Sequence, residues 1–164
     1  MKKIFFFFAL IFILCSWAQP AAAQSPQSLT IAEAEKIMGE PARLTDSSSE
    51  YENGVHHYRS SYSAQSKDSV TGRIGKLYYM YEEYDKTSDA QKYFTDIKAA
   101  NAKNNVLKDL PFGDEGYYQR DASVLHFIMV RKGNKILIFK VNKITRWTSP
   151  NALMDIAKNK VSML

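Results

Sequence analysis

The hydrophobic and polar positions change period several times along the chain. After a polar leader from Gln24 to Ser28, apolar residues Ile31, Ala34, Ile37 and Met38 recur at helical spacing. Thr30 and Glu33 stand three apart at its start, the spacing of a capping box in which hydroxyl and carboxylate each satisfy an orphan backbone N–H. Gly39 and Pro41 end this helix. From Ala42 to Tyr84 the pattern turns to strands. A short strand over Ala42 to Thr45 precedes a turn-like run, Asp46-Ser47-Ser48-Ser49, and Asn53-Gly54 is a hairpin signal. Val55 to Ala64 is the next strand, Gln65 to Gly72 a polar loop, and Arg73 to Tyr84 a long strand dense in tyrosine.

Helical spacing returns with Ala90, Tyr93, Phe94, Ile97 and Ala100, behind a second capping box at Ser88-Asp89-Ala90-Gln91. Val106 to Leu110 reads as a short strand closed by Pro111, and a tight turn at residues 112–118 enters another. Val124 to Arg131 and Lys135 to Val141 are apolar on both faces, which predicts central strands joined at Lys132-Gly133-Asn134. Ser149 and Pro150 open a last helix whose inner stripe is Leu153, Ile156, Ala157 and Val161. The predicted order is α, three strands, α, three or four strands, α. That order is an α+β fold: one antiparallel sheet of six or seven strands with three helices packed on it.

The N-terminus changes what counts as the protein. Lys2 and Lys3, an apolar run beginning at Ile4, and Ala21-Ala22-Ala23 have the layout of a secretory signal peptide over residues 1–23. The apolar run ends at Ala18, short of the roughly twenty residues a spanning helix needs. Ile13 and Leu14 precede Cys15 where lipid attachment calls for small residues. The expectation is an exported protein, periplasmic or extracellular, with a single domain over 24–164 and no stable membrane span after processing.

Charge and cysteine content follow from that cleavage. The whole chain carries 22 Lys+Arg against 17 Asp+Glu, a formal +5, and a single cysteine. Residues 24–164 keep 20 bases and 17 acids and no cysteine, which excludes a cysteine nucleophile, a thiolate metal site and a disulfide framework. The charge is polarised: residues 24–128 hold 12 bases and 16 acids, while residues 129–164 hold eight bases against Asp155 alone. The basic block includes Lys135, Lys140, Lys143 and Arg146. It suits an anionic surface, or it is neutralised in the sheet beside Glu82, Glu83 and Asp85. Nucleic acid is not an expected partner, because the strong basic stripe of a nucleic-acid binder is missing.

A helix, then Gly113-Asp114-Glu115-Gly116-Tyr117-Tyr118, a strand, Arg131-Lys132-Gly133-Asn134, a strongly apolar strand and a terminal helix form a recognisable succession over about residues 88–160. In this it resembles uncharacterised exported bacterial α+β domains of PsbP/Mog1-like or related type. The resemblance implies a binding or accessory role, with no family catalytic residues to carry over. The chain departs from many such proteins in lacking their lipid-attachment signal and cysteines.

The chemistry-bearing residues have competing readings. Asp114 and Glu115 are a cation site or acid/base pair, or else a turn; the spacing of a calcium loop is absent. His56 and His57 point to opposite faces of one strand and cannot share a metal, and His126 lies among apolar neighbours. All ten tyrosines lie beyond residue 50. Tyr79 and Tyr81 share one strand face, Tyr78 and Tyr84 the other, and they read as a binding groove or as half-buried rings. No Gly-x-Ser-x-Gly, HExxH, P-loop or post-strand GxGxxG occurs. The expected function is that of a non-catalytic exported accessory or binding domain without a cofactor. Its site would draw on Tyr78, Tyr79, Tyr81, Tyr84, Lys135, Lys140, Lys143 and Arg146, for an envelope protein, an anionic surface or a small ligand. The alternatives are a small envelope hydrolase using Asp114, Glu115 or His126, and a protein-binding inhibitor or chaperone-like envelope protein.

Overall fold

A computed structural model describes residues 25–121 and 124–164; the expected signal peptide, with Cys15, lies outside the described residues. The element order is α1 Ile31–Met38, β1 Ala42–Glu52, β2 Val55–Ala64, β3 Lys76–Tyr84, α2 Thr87–Ala102, β4 Leu107–Asp109, β5 Glu115–Asp121, β6 Leu125–Lys132, β7 Lys135–Asn142 and α3 Pro150–Ser162. The strands form one open antiparallel sheet in the order β1-β2-β3-β7-β6-β5-β4. This is the expected α+β class and element order. β7 and β6, largely apolar on both faces, are interior strands, covered by helix on one side and over part of the other.

α1 and α3 cover one face, the front. There Ala34, Ile37 and Met38 of α1 and Leu153, Ile156, Ala157 and Val161 of α3 pack on Leu77, Tyr79, Tyr81, Ile128, Val130, Leu137 and Phe139. α2 crosses the back, where Ala90 and Phe94 join Tyr84, Tyr117, Met129, Ile136 and Ile138 in a second core. A 16-residue helix is only about 24 Å long, so it covers part of that face. The back of β2, β3 and β7 near Tyr78 and Lys140 is left open.

Local signals explain most element ends. Thr30 Oγ1 accepts from Glu33 N at 3.1 Å and the Glu33 carboxylate accepts from Thr30 N at 2.8 Å, closing the expected capping box. Ser149 caps α3 by accepting from Ala152 N, with Pro150 in the first turn. Asn53 and Gly54 both take positive φ, the geometry their hairpin needs. Gly39 closes α1 at φ 71° with the Trp147 backbone against it; a Cβ there would lie 2.0 Å from the Trp147 carbonyl oxygen.

Four local expectations are corrected. The serine run is not a turn but part of an eleven-residue edge strand, with a register shift between Leu44 and Asp46. The Asn53-Gly54 hairpin zips the whole segment onto β2, and edge position leaves the small polar side chains in water. Ser88 does not cap α2: the helix begins at Thr87 behind Lys86, with no side-chain cap. Hydrogen bonds from Tyr84 N to Asn134 O and from Asp85 N to Gly54 O tie down the end of β3, and the helix starts directly after it. β3 begins at Lys76 rather than Arg73. Ile31 is exposed although it fits the α1 stripe, because the buried stripe runs through Ala34, Ile37 and Met38.

The leader is not a loose tail. Tyr62 OH donates to Leu29 O and Tyr79 OH to Pro26 O, so two phenols of the front face hold it across the sheet. Lys160, fully buried in α3, donates to Ser25 O at 3.0 Å and Ser28 O at 2.7 Å and pairs with Glu33 at 3.1 Å.

Candidate functional site

Strand alternation sorts the tyrosines as expected, but helix cover decides their roles. Tyr79 and Tyr81 point to the front and are buried, Tyr79 edge-on to Phe139 at 4.9 Å and Tyr81 edge-on to Tyr58 at 5.6 Å. Burial pushes both phenols well above their ordinary range. Tyr84 points to the back, is buried at the start of α2 beside Tyr93, and donates to Glu82 at 2.9 Å. These three rings are core and present no open surface. Tyr78 is the exception, half-exposed on the open part of the back face.

There β3 and β7 set Tyr78 directly opposite Lys140 and Lys76 opposite Asn142. Tyr78, Lys140 and Asn142, together with Asp46, Arg59, Ser61 and Met80, line a groove of about 320 Å³. Its lining is mixed: the Met80 thioether, the Tyr78 phenol, the cations Lys140 and Arg59, and the Asp46 carboxylate. Arg59 is engaged by Glu50 at 2.7 Å across β1–β2. The Asn142 carboxamide oxygen is buried and has no hydrogen-bond partner among the described residues. A buried carbonyl left without a donor costs about 1–3 kcal/mol.

The other predicted site residues separate. Lys135 lies at the opposite end of β7, opposite Glu83 on β3 and Lys132 on β6. Lys143 and Arg146 follow β7 into the loop before α3, where they line two other concavities. The basic block is thus spread along the length of the sheet. Its β7 members face Tyr78 and Glu83 rather than a row of acids.

Of the hydrolase residues, Asp114 and Glu115 meet on Arg131 and His126 lies apart from them. Asp114 and Glu115 are held by Arg131, through Nη1 to Asp114 at 3.0 Å and Nε to Glu115 at 2.6 Å. Arg131 Nη1 also donates to Gly133 O, and Gly133 N to Asp114. Gly113 supplies the positive φ of the turn. The acidic pair therefore clamps the turn before β5 to the β6–β7 turn. His126 lies five residues from Arg131 along β6, about 16 Å at strand rise. It is buried, stacked on Tyr118, and shares a 2.6 Å hydrogen bond from Nδ1 to the Tyr118 hydroxyl. Burial and the nearby Arg120 keep its pKa below the ordinary 6.5.

His57 faces the back and contacts Glu82 at 3.1 Å, while His56 packs against Tyr51 at 4.4 Å between centroids. Among the described residues there is no group of three or more His, Cys, Asp or Glu placed to hold a metal, and no helix long and apolar enough to cross a membrane. Asp46, Arg59, Ser61, Met80 and Asn142 of the groove are not among the residues expected from the sequence. Alternation from Tyr78 could have found Asn142 and Arg59 only once the strand pairing was known. No family model, curated protein or solved structure matches the chain.

Proposed function

We propose that the chain is an exported, non-catalytic binding domain that holds a small ligand in the groove beside Tyr78. The observation that carries this reading is a groove that Tyr78 and Lys140 line as a directly opposed pair, with Asn142, whose buried oxygen lacks a partner among the described residues, beside them. Lys140 offers a charge, Tyr78 a phenolic donor, and Asn142 an acceptor, with Met80 as apolar lining. That set suits a small carboxylate that also carries a hydroxyl or amine, the chemistry of a hydroxy acid or a uronic acid. The resemblance to exported α+β domains of PsbP/Mog1-like type, and the signal-peptide layout of residues 1–23, favour an accessory role in the cell envelope or outside the cell. Separation of His126 from the Asp114–Glu115 pair, and the engagement of that pair by Arg131, count against the hydrolase reading.

Native mass spectrometry of protein purified from its own source, followed by thermal shift with D-glucuronate and citrate, tests the proposal. A retained mass or a rise in melting temperature is expected, lost in Lys140→Glu and weakened in Tyr78→Phe. No retained mass and no shift with either probe would sink it, as would an effect that survives Lys140→Glu.

A further inference from the structure

The end of the sheet beyond the groove is built from two loops, residues 65–75 between β2 and β3 and residues 143–149 between β7 and α3. Asp68 staples them together. Its Oδ2 accepts from Arg146 N at 3.0 Å, and its Oδ1 from Val70 N at 2.7 Å and Thr71 N at 3.0 Å. These N–H donors, that of Arg146 first, hold the carboxyl below the usual carboxylate range. Arg146 Nη2 also reaches Ser69 Oγ at 3.4 Å. The loops therefore form one surface.

That surface is cationic and apolar together. Lys67, Arg73, Lys76 and Lys143 line a concavity of about 490 Å³ completed by Gly72 and Ile74, with no acid in its lining. Arg146 adds a fifth cation, its guanidinium 4.3 Å over the Trp147 ring. Asp68 and Glu40 at this end are engaged inward, Asp68 on the loop backbone and Glu40 on the Thr145 hydroxyl at 3.0 Å. Around the cations stand Val70, 70 % exposed, Trp147, 50 % exposed, and Ile74, 37 % exposed.

We propose that this end docks on an anionic lipid surface. The cationic concavity takes a phosphate headgroup, and Val70, Ile74 and Trp147 enter the interfacial layer. Charge complementarity selects an anionic partner. The apolar tips select a bilayer over a soluble polyanion, because a polymer gives them nothing to enter while tryptophan is favoured at the headgroup level. The cations and apolar residues alternate within two short loops, so neither can reach the surface without the other. This inference stands apart from the groove ligand, since it uses none of Tyr78, Lys140 and Asn142.

Vesicle co-sedimentation of the protein as purified from its own source is the test, with vesicles of phosphatidylcholine alone or with one-third phosphatidylglycerol. Binding is expected only to the phosphatidylglycerol vesicles and is expected to weaken with salt. Lys67→Glu with Lys143→Glu should weaken it about 25-fold or more. Val70→Ser with Trp147→Ser should weaken it about tenfold with the charges intact. All four positions are outside the helices and strands, and circular dichroism checks that the variants fold. Equal binding by wild type and both variants would overturn the proposal, as would no preference for phosphatidylglycerol. Tight binding to inorganic polyphosphate, together with vesicle binding that Val70→Ser with Trp147→Ser leaves unchanged, would also overturn it in favour of a polyanion partner.

Discussion

Lys160 and Glu33 form an ion pair at 3.1 Å in which the ammonium is wholly buried, joining the last helix to the capping box of the first. The same ammonium donates to the carbonyls of Ser25 and Ser28, so one side chain holds α1, α3 and the leader together. Glu33 in turn spends its other hydrogen bonds on Thr30. A charge taken out of water this completely is tolerated only when its hydrogen bonds are filled.

Lys160→Met is expected to lower unfolding stability by about 2–4 kcal/mol, since it leaves a carboxylate and two carbonyls without their partner. Urea denaturation measures the loss. Adding Glu33→Gln should cost less in this background than in wild type, the signature of direct coupling. Amide exchange should speed up selectively over residues 25–30. Additive losses, or a leader that exchanges unchanged, would remove the tie described here.

Arg131 gathers Asp114, Glu115 and the Gly133 carbonyl while remaining largely buried. Arg131→Ala should cost about 1–3 kcal/mol, discounted because the two carboxylates are partly in water. Arg131→Lys should recover little, because a single ammonium cannot reproduce the fork that reaches both acids. Chemical denaturation of the three proteins decides it, and a lysine variant as stable as wild type would contradict the clamp.

Stability should fall at both ends of the pH range, for different groups. Burial holds the folded His126 pKa below 6.5. As pH drops through 6.5 the unfolded chain takes up the proton first, so it binds more protons and the fold loses stability. Burial lifts Tyr79, Tyr81 and Tyr84 above their ordinary 10.0. Above that pH the unfolded chain sheds protons first, and the fold again loses stability. Urea midpoints at about pH 7.5 and 5.5 should converge in His126→Gln relative to wild type, after allowing for the lost bond to Tyr118. Phenolate absorbance of the three tyrosines should rise only together with alkaline unfolding; ionisation within the intact fold would refute their burial.

The alternation of β3 and the periodicity of α1 and α3 determined by themselves which residues share a face, because strand and helix periods are local properties of the backbone. The capping boxes show the limit of that reasoning. Thr30 and Glu33 close theirs, yet at the same spacing Ser88 sits inside α2, because the pinned end of β3 sets where the helix starts. Tyr78 and Tyr84 occupy the same face by alternation, and only the path of α2 makes one a groove residue and the other core. Lys160 falls on the stripe of Ile156 and Ala157, where a charge reads as a solvated interruption. Its partner lies at the far end of the chain, so only tertiary folding could satisfy it inside. The residue patterns determined the α+β class and the face of each side chain, since these depend on neighbours in sequence. Helix cover, charge pairing and the joining of two distant loops were decided by the tertiary structure, since each depends on segments that meet only when the sheet closes.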